Sequence, residues 1–97
     1  MQVDVITLAF KLIIARLEGN AVIDKGRKAL YDESVKWLLI VPKDDSANMA
    51  RVKIDDSGVI VVQRLHAAHT IWSDVGLAHV GDPDMADQVA EIILRRL

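Results

Sequence analysis

Three histidines, His66, His69 and His79, and two aspartate pairs, Asp44-Asp45 and Asp55-Asp56, are the residues whose types suit metal ligation or proton transfer. His66 and His69 stand three apart. On a helix they would share a face and could hold one ion; on a strand they would point to opposite faces. The loop with Asp44 and Asp45 is expected at the same end of the sheet as His66 and His69. A metal-dependent enzyme using His66 and His69 with Asp44 or Asp45 is therefore one reading. The HxxH spacing lacks the glutamate of the HExxH zinc helix, so it specifies no metal by itself. Both aspartate pairs fall in expected turns, where aspartate bonds nearby backbone amides. Turn formation explains them without acid–base chemistry.

Other chemistry finds less support. The serines at 34, 46, 57 and 73 have no G-x-S-x-G context, and there is no GxGxxG and no phosphate-binding P-loop. Lys25, Arg27 and Lys28 form one basic cluster, and Arg51, Lys53 and Arg64 a second that could meet phosphates. No aromatic residue alternates with Arg51, Lys53 and Arg64 along the chain, so a base-stacking platform is not expected. Trp37, Trp72 and Tyr31 could frame a ligand pocket, though isolated aromatics more often pack a core. No catalytic residue, metal or cofactor is implied by a specific motif.

Composition narrows the class. The chain has 97 residues, 52% apolar and 27% charged, which fits one folded α+β domain over 1–97. It has no cysteine, which removes disulfides, thiol catalysis and zinc–thiolate sites. The net charge of −2 is not the footprint of a nucleic-acid binder. The apolar N-terminal stretch lacks a basic leader region and is broken by Asp4, Lys11 and Arg16, so a cytoplasmic, membrane-free protein is expected.

These residues must be positioned by a small set of elements. Helix periodicity runs from Asp4 to Glu18 and stops at Gly19-Asn20. Its polar strip (Asp4, Thr7, Lys11, Glu18) is narrow. Val5, Ile6, Leu8, Ala9, Phe10, Leu12, Ile13 and Leu17 cover about two thirds of the circumference, against the ~100° stripe a surface helix needs. Residues 21–34 read as a loop or a short helix capped by Asp24. Val35–Val41 reads as a central strand, apolar on both faces. Met49–Ile54 and Val59–Leu65 form a hairpin across Asp55-Asp56-Ser57-Gly58. Pairing Ile54 with Val59, Val52 with Val61 and Ala50 with Gln63 puts Ile60, Val62 and Arg64 beside Arg51 and Lys53. Residues 66–80 could be strand or helix; Thr70, Ile71, Trp72 and Val75 favour a strand. A second helix is capped by Asp82 with Pro83 at its first position, and buries Met85, Ala86, Val89, Ile92, Ile93 and Leu97.

The expected architecture is an α+β two-layer sandwich: helix, three- or four-stranded antiparallel meander, helix. With both helices on one sheet face, the other is left open. Leu38, Ile40, Arg51, Lys53, Ile60, Val62 and Arg64 are expected there as an interface, with the first helix as the alternative. The functional expectation is a non-enzymatic protein-interaction or accessory module, homodimeric, with a protein partner. The alternatives are the His/Asp enzyme and a weak nucleic-acid binder through Arg51, Lys53 and Arg64.

Overall fold

A computed structural model describes residues 3–19, 27–32, 37–42, 49–65 and 71–96. Helix α1 spans Val3–Glu18 and is followed by strands β1 (Arg27–Asp32), β2 (Trp37–Pro42), β3 (Ala50–Ile54), β4 (Val59–Leu65) and β5 (Trp72–His79), then helix α2 (Met85–Arg96). The strands form one antiparallel sheet in chain order, β1-β2-β3-β4-β5. The fold is thus an α+β two-layer structure, with one strand more than the sequence suggested.

The added strand is β1. Its sequence, RKALYD, has little intrinsic preference for extended structure. It is a strand because β2 offers it an edge: Leu30 pairs with Leu39 and Tyr31 with Leu38. At the other edge, Trp72–His79 takes the strand form that its residues favoured.

Both helices pack on the same sheet face and on each other, α1 toward β1 and α2 over β4 and β5. Phe10, Ile13 and Leu17 of α1 and Val89 and Ile93 of α2 close over Leu38, Ile40, Val52, Ile60 and Val62. Each large side chain so buried contributes about 1.5–3 kcal/mol relative to exposure. Helix α1 buries Ile6, Ala9, Phe10, Ile13 and Leu17, a 3–4 repeat that uses one face only. Arg16, in its last turn, forms an ion pair with Asp87 in the first turn of α2, so the helices run antiparallel. Helix α2 begins two residues after the expected start. The Asp84 carbonyl accepts the first intrahelical bond from the Gln88 amide (3.0 Å), while Asp82 and Pro83 form the turn leading in.

The β3–β4 hairpin corrects the expected register by one residue. Ile54 pairs with Ile60, Val52 with Val62 and Ala50 with Arg64. The loop has three residues rather than four. The Asp55 amide donates to the Val59 carbonyl at 3.0 Å, and Gly58, at φ 87°, supplies the left-handed position that closes such a loop. The Asp55 carboxylate accepts bonds from the Ser57 hydroxyl (2.6 Å), the Ser57 amide (2.9 Å) and the Val59 amide (3.0 Å). These bonds hold its pKa below the ordinary carboxylate value.

A one-residue shift moves every side chain of a strand to the other face. Ile60 and Val62 therefore lie under the helices instead of beside Arg51 and Lys53. A second irregularity sets β5. Val62 pairs with Gly76 but Gln63 pairs with Asp74, leaving Val75 as a bulge. The extra residue brings Trp72, Asp74 and Leu77 to one face, while Gly76 and Ala78 pass beneath α2.

Candidate interaction surfaces

The residues expected together on the open sheet face divide between the two faces. Leu38, Ile40, Ile60 and Val62 are fully buried beneath the helices. Arg64, opposite buried Ala50, shares that side, and its Nε is buried without a hydrogen-bond partner among the described residues. Arg51 and Lys53 alone remain on the open face.

The open face instead gathers residues from four strands. Leu39 pairs with Arg51, Arg51 with Gln63, and Gln63 with Asp74, which makes a row across β2 to β5. Directly opposite residues share a face, so Arg51, Gln63 and Asp74 form a polar ladder with Leu39 at its end. Arg51 Nε donates to Gln63 Oε1 at 2.6 Å, and Gln63 Nε2 donates to Asp74 Oδ1 at 2.7 Å. The Arg51 guanidinium lies over two indoles, 4.3 Å from the Trp37 ring centroid and 4.2 Å from that of Trp72. Lys53 Nζ stands 5.3 Å from the Trp37 centroid. Burial among these groups lowers the pKa of Arg51 and the Asp74 charge partly restores it; the guanidinium remains a cation. Beside the stack, Lys53, Ile54, Asp55, Val61, Gln63 and Asp74 line a hollow of about 210 Å³.

The two tryptophans do come together, but around Arg51 and without Tyr31. The Tyr31 ring packs against Phe10 of α1, with centroids 5.0 Å apart, on the opposite side of the sheet. The aromatic neighbours of Arg51 are invisible along the chain because they come from β2 and β5. Alternation within a strand predicts its own faces, while convergence across strands needs the register.

The second surface belongs to the helical layer. Val5, Leu8 and Leu12 of α1 are 42%, 56% and 48% exposed. With exposed Ala15 they repeat at intervals of three, four and three, so they form one ridge down the outer side of α1. The ridge runs into a groove of about 530 Å³ between α1 and the segment leading into α2, whose apolar walls include Leu12, Ala15, Pro83, Met85 and Ala86.

The histidine reading falls largely outside the described residues, as do His66, His69, Asp44 and Asp45. Among the described residues, no group of three or more His, Asp or Glu side chains could hold a metal ion. His79 has a structural setting. The Gly81 amide donates to its Nδ1 at 2.9 Å, which leaves the proton on Nε2 to face the Ser57 carbonyl at 3.1 Å. The ring thereby ties the end of β5 to the β3–β4 turn. Asp55 is committed to that same turn, as its turn-forming chemistry implied. Among the described residues, no helix is long and apolar enough to cross a membrane.

No family model, curated protein or solved structure matches this chain. Its function is therefore read from its own surfaces.

Proposed function

We propose that the protein is a non-enzymatic interaction module that acts as a homodimer, joined through the outer face of α1. The observation that carries this reading is the half-exposed ridge of Val5, Leu8 and Leu12 leading into the Leu12–Ala15–Pro83–Met85–Ala86 groove. A single helix cannot fill its own groove. Two copies related by a two-fold axis, with α1 antiparallel to α1, set Val5 and Leu8 of each over the groove of the other. Such a contact is self-complementary and closes at two subunits. It also sets the positive N-terminus of each helix beside the negative C-terminus of its mate.

The helix is about 24 Å long and about 10 Å wide with its side chains. A footprint of that size, about 240 Å² per subunit before the α2 approach segment is added, falls below the ~1,200–2,000 Å² typical of stable interfaces. The dimer proposed is a weak one, in exchange with the monomer.

The sheet face expected to serve as the interface is the weaker candidate for self-association. Four of its seven expected residues are core, and its centre carries Arg51 and Lys53. Light scattering across micromolar concentrations tests the α1 dimer. Mass should rise to that of a dimer for the wild-type chain and stay monomeric for Leu8→Glu. A wild-type chain that stays monomeric, or an L8E variant that still dimerises, overturns the reading.

A further inference from the structure

We propose that the open sheet face is a binding platform for single-stranded nucleic acid, centred on Trp37, Arg51 and Trp72. The inference is independent of the α1 dimer, which uses the opposite layer.

Three features meet there. Two half-buried indole rings rise from β2 and β5 with the Arg51 guanidinium between them, and Lys53 Nζ also stands over the Trp37 ring. A base stacks on such a ring whatever its identity, because every base has a π-face. Arg51 and Lys53 then supply two cations on the same face for phosphates. Finally, the hollow beside the stack presents Lys53, Asp55, Gln63 and Asp74 to whatever enters it. The Gln63 amide is already oriented, its oxygen toward Arg51 and its nitrogen toward Asp74. Asp55 and Asp74 repel a phosphate, and Asp74 accepts hydrogen bonds from base amino groups, so the hollow suits a base edge while the backbone runs over Arg51 and Lys53.

A duplex hides its bases from a sheet face, which makes a single strand the fitting form. The net negative charge of the chain is not concentrated on this face, where Asp55 and Asp74 stand against Arg51 and Lys53. Asp82, Asp84, Asp87 and Glu91 lie on and before α2, in the other layer. Interactions between exposed charges fade beyond about 10 Å at ordinary salt.

The test is fluorescence titration with a short mixed-sequence single-stranded RNA oligonucleotide. The chain has only two tryptophans, so emission reads this site directly. Binding should quench it. With two phosphates contacted at about 0.7 each, a fourfold rise in salt should weaken binding about sevenfold. Trp37→Ala and Trp72→Ala should each weaken binding between about fivefold and 150-fold, the worth of one stacked base. Because either change could disturb the sheet, Lys53→Gln is a second probe. It should leave the circular dichroism spectrum intact and halve the salt slope. A duplex of the same sequence should bind far more weakly. The proposal is overturned by no binding at low salt, by affinity that ignores salt, or by a duplex that binds equally well. It is equally overturned if emission shifts with protein concentration alone, which would mark the face as a protein–protein contact.

Discussion

Gly76 of β5 passes so close beneath Ile92 of α2 that a Cβ atom there would lie 2.6 Å from Ile92 Cδ1 and 2.8 Å from both its Cγ1 and Cγ2. All three atoms belong to one branched side chain whose χ1 freedom on a helix is small. Gly76→Ala should therefore destabilise the protein by about 1–3 kcal/mol through overpacking. In a Gly76→Ala/Ile92→Ala double variant the two costs should sum to less than their separate values, because Ile92→Ala removes the clash. Urea denaturation of the four proteins checks this; strict additivity would show that the helix simply moves aside.

Arg51 holds both tryptophans of the chain. Arg51→Gln should shift tryptophan emission to the red as both rings gain solvent. It should cost about 1–2 kcal/mol, the sum of two partly exposed cation–π contacts at roughly 0.5–1 kcal/mol each. Emission spectra and denaturation midpoints read the two effects separately. An unchanged spectrum would contradict the stack.

The Asp55 carboxylate carries a lowered pKa because the Ser57 hydroxyl, and then the Val59 and other turn amides, bond its charged form. A group with a depressed folded pKa stabilises the protein above its unfolded pKa, and that contribution is lost as pH falls through the folded value. The stability gap between the wild type and Asp55→Asn should thus be constant at neutral pH and close as the pH drops below about 4. Thermal melts across that range measure it; a gap that widens on acidification would reverse the assignment.

The Arg16–Asp87 pair joins the two helices, yet its side chains are 45% and 65% exposed. Solvent screens such a pair, and a double-mutant cycle on Arg16→Ala and Asp87→Ala should return a coupling of about 0.2–1 kcal/mol. The coupling should shrink further in molar salt. The alignment of the helices should survive its loss, since Phe10, Ile13, Val89 and Ile93 hold them.

The elements visible in the sequence were those whose pattern is self-contained. The α1 core face, the apolar β2, the β3–β4 hairpin and the charged periodicity of α2 each show within a short window. What escaped depends on partners. RKALYD becomes β1 only because β2 is there to pair with. The hairpin register turned on whether Gly58 ends a three- or a four-residue loop, a choice the residues Asp55-Asp56-Ser57-Gly58 allow either way. That single step carried Ile60 and Val62 from the expected interface into the core. It also hid the convergence of Trp37 and Trp72 on Arg51, which needs two registers and the Val75 bulge.

The strand order β1-β2-β3-β4-β5 also sets a timetable for folding. Every strand pairs with its neighbour in the chain, so the sheet can assemble by successive short loop closures, each entropically cheap. The contact between α1 and α2 is different: Arg16 and Asp87 lie 71 residues apart. A closure of that length waits until the sheet has shortened the path between the helices. The helix pair then forms last and opens first. Substitutions along it should accelerate unfolding and leave refolding nearly untouched, whereas those in the β3–β4 hairpin should slow refolding.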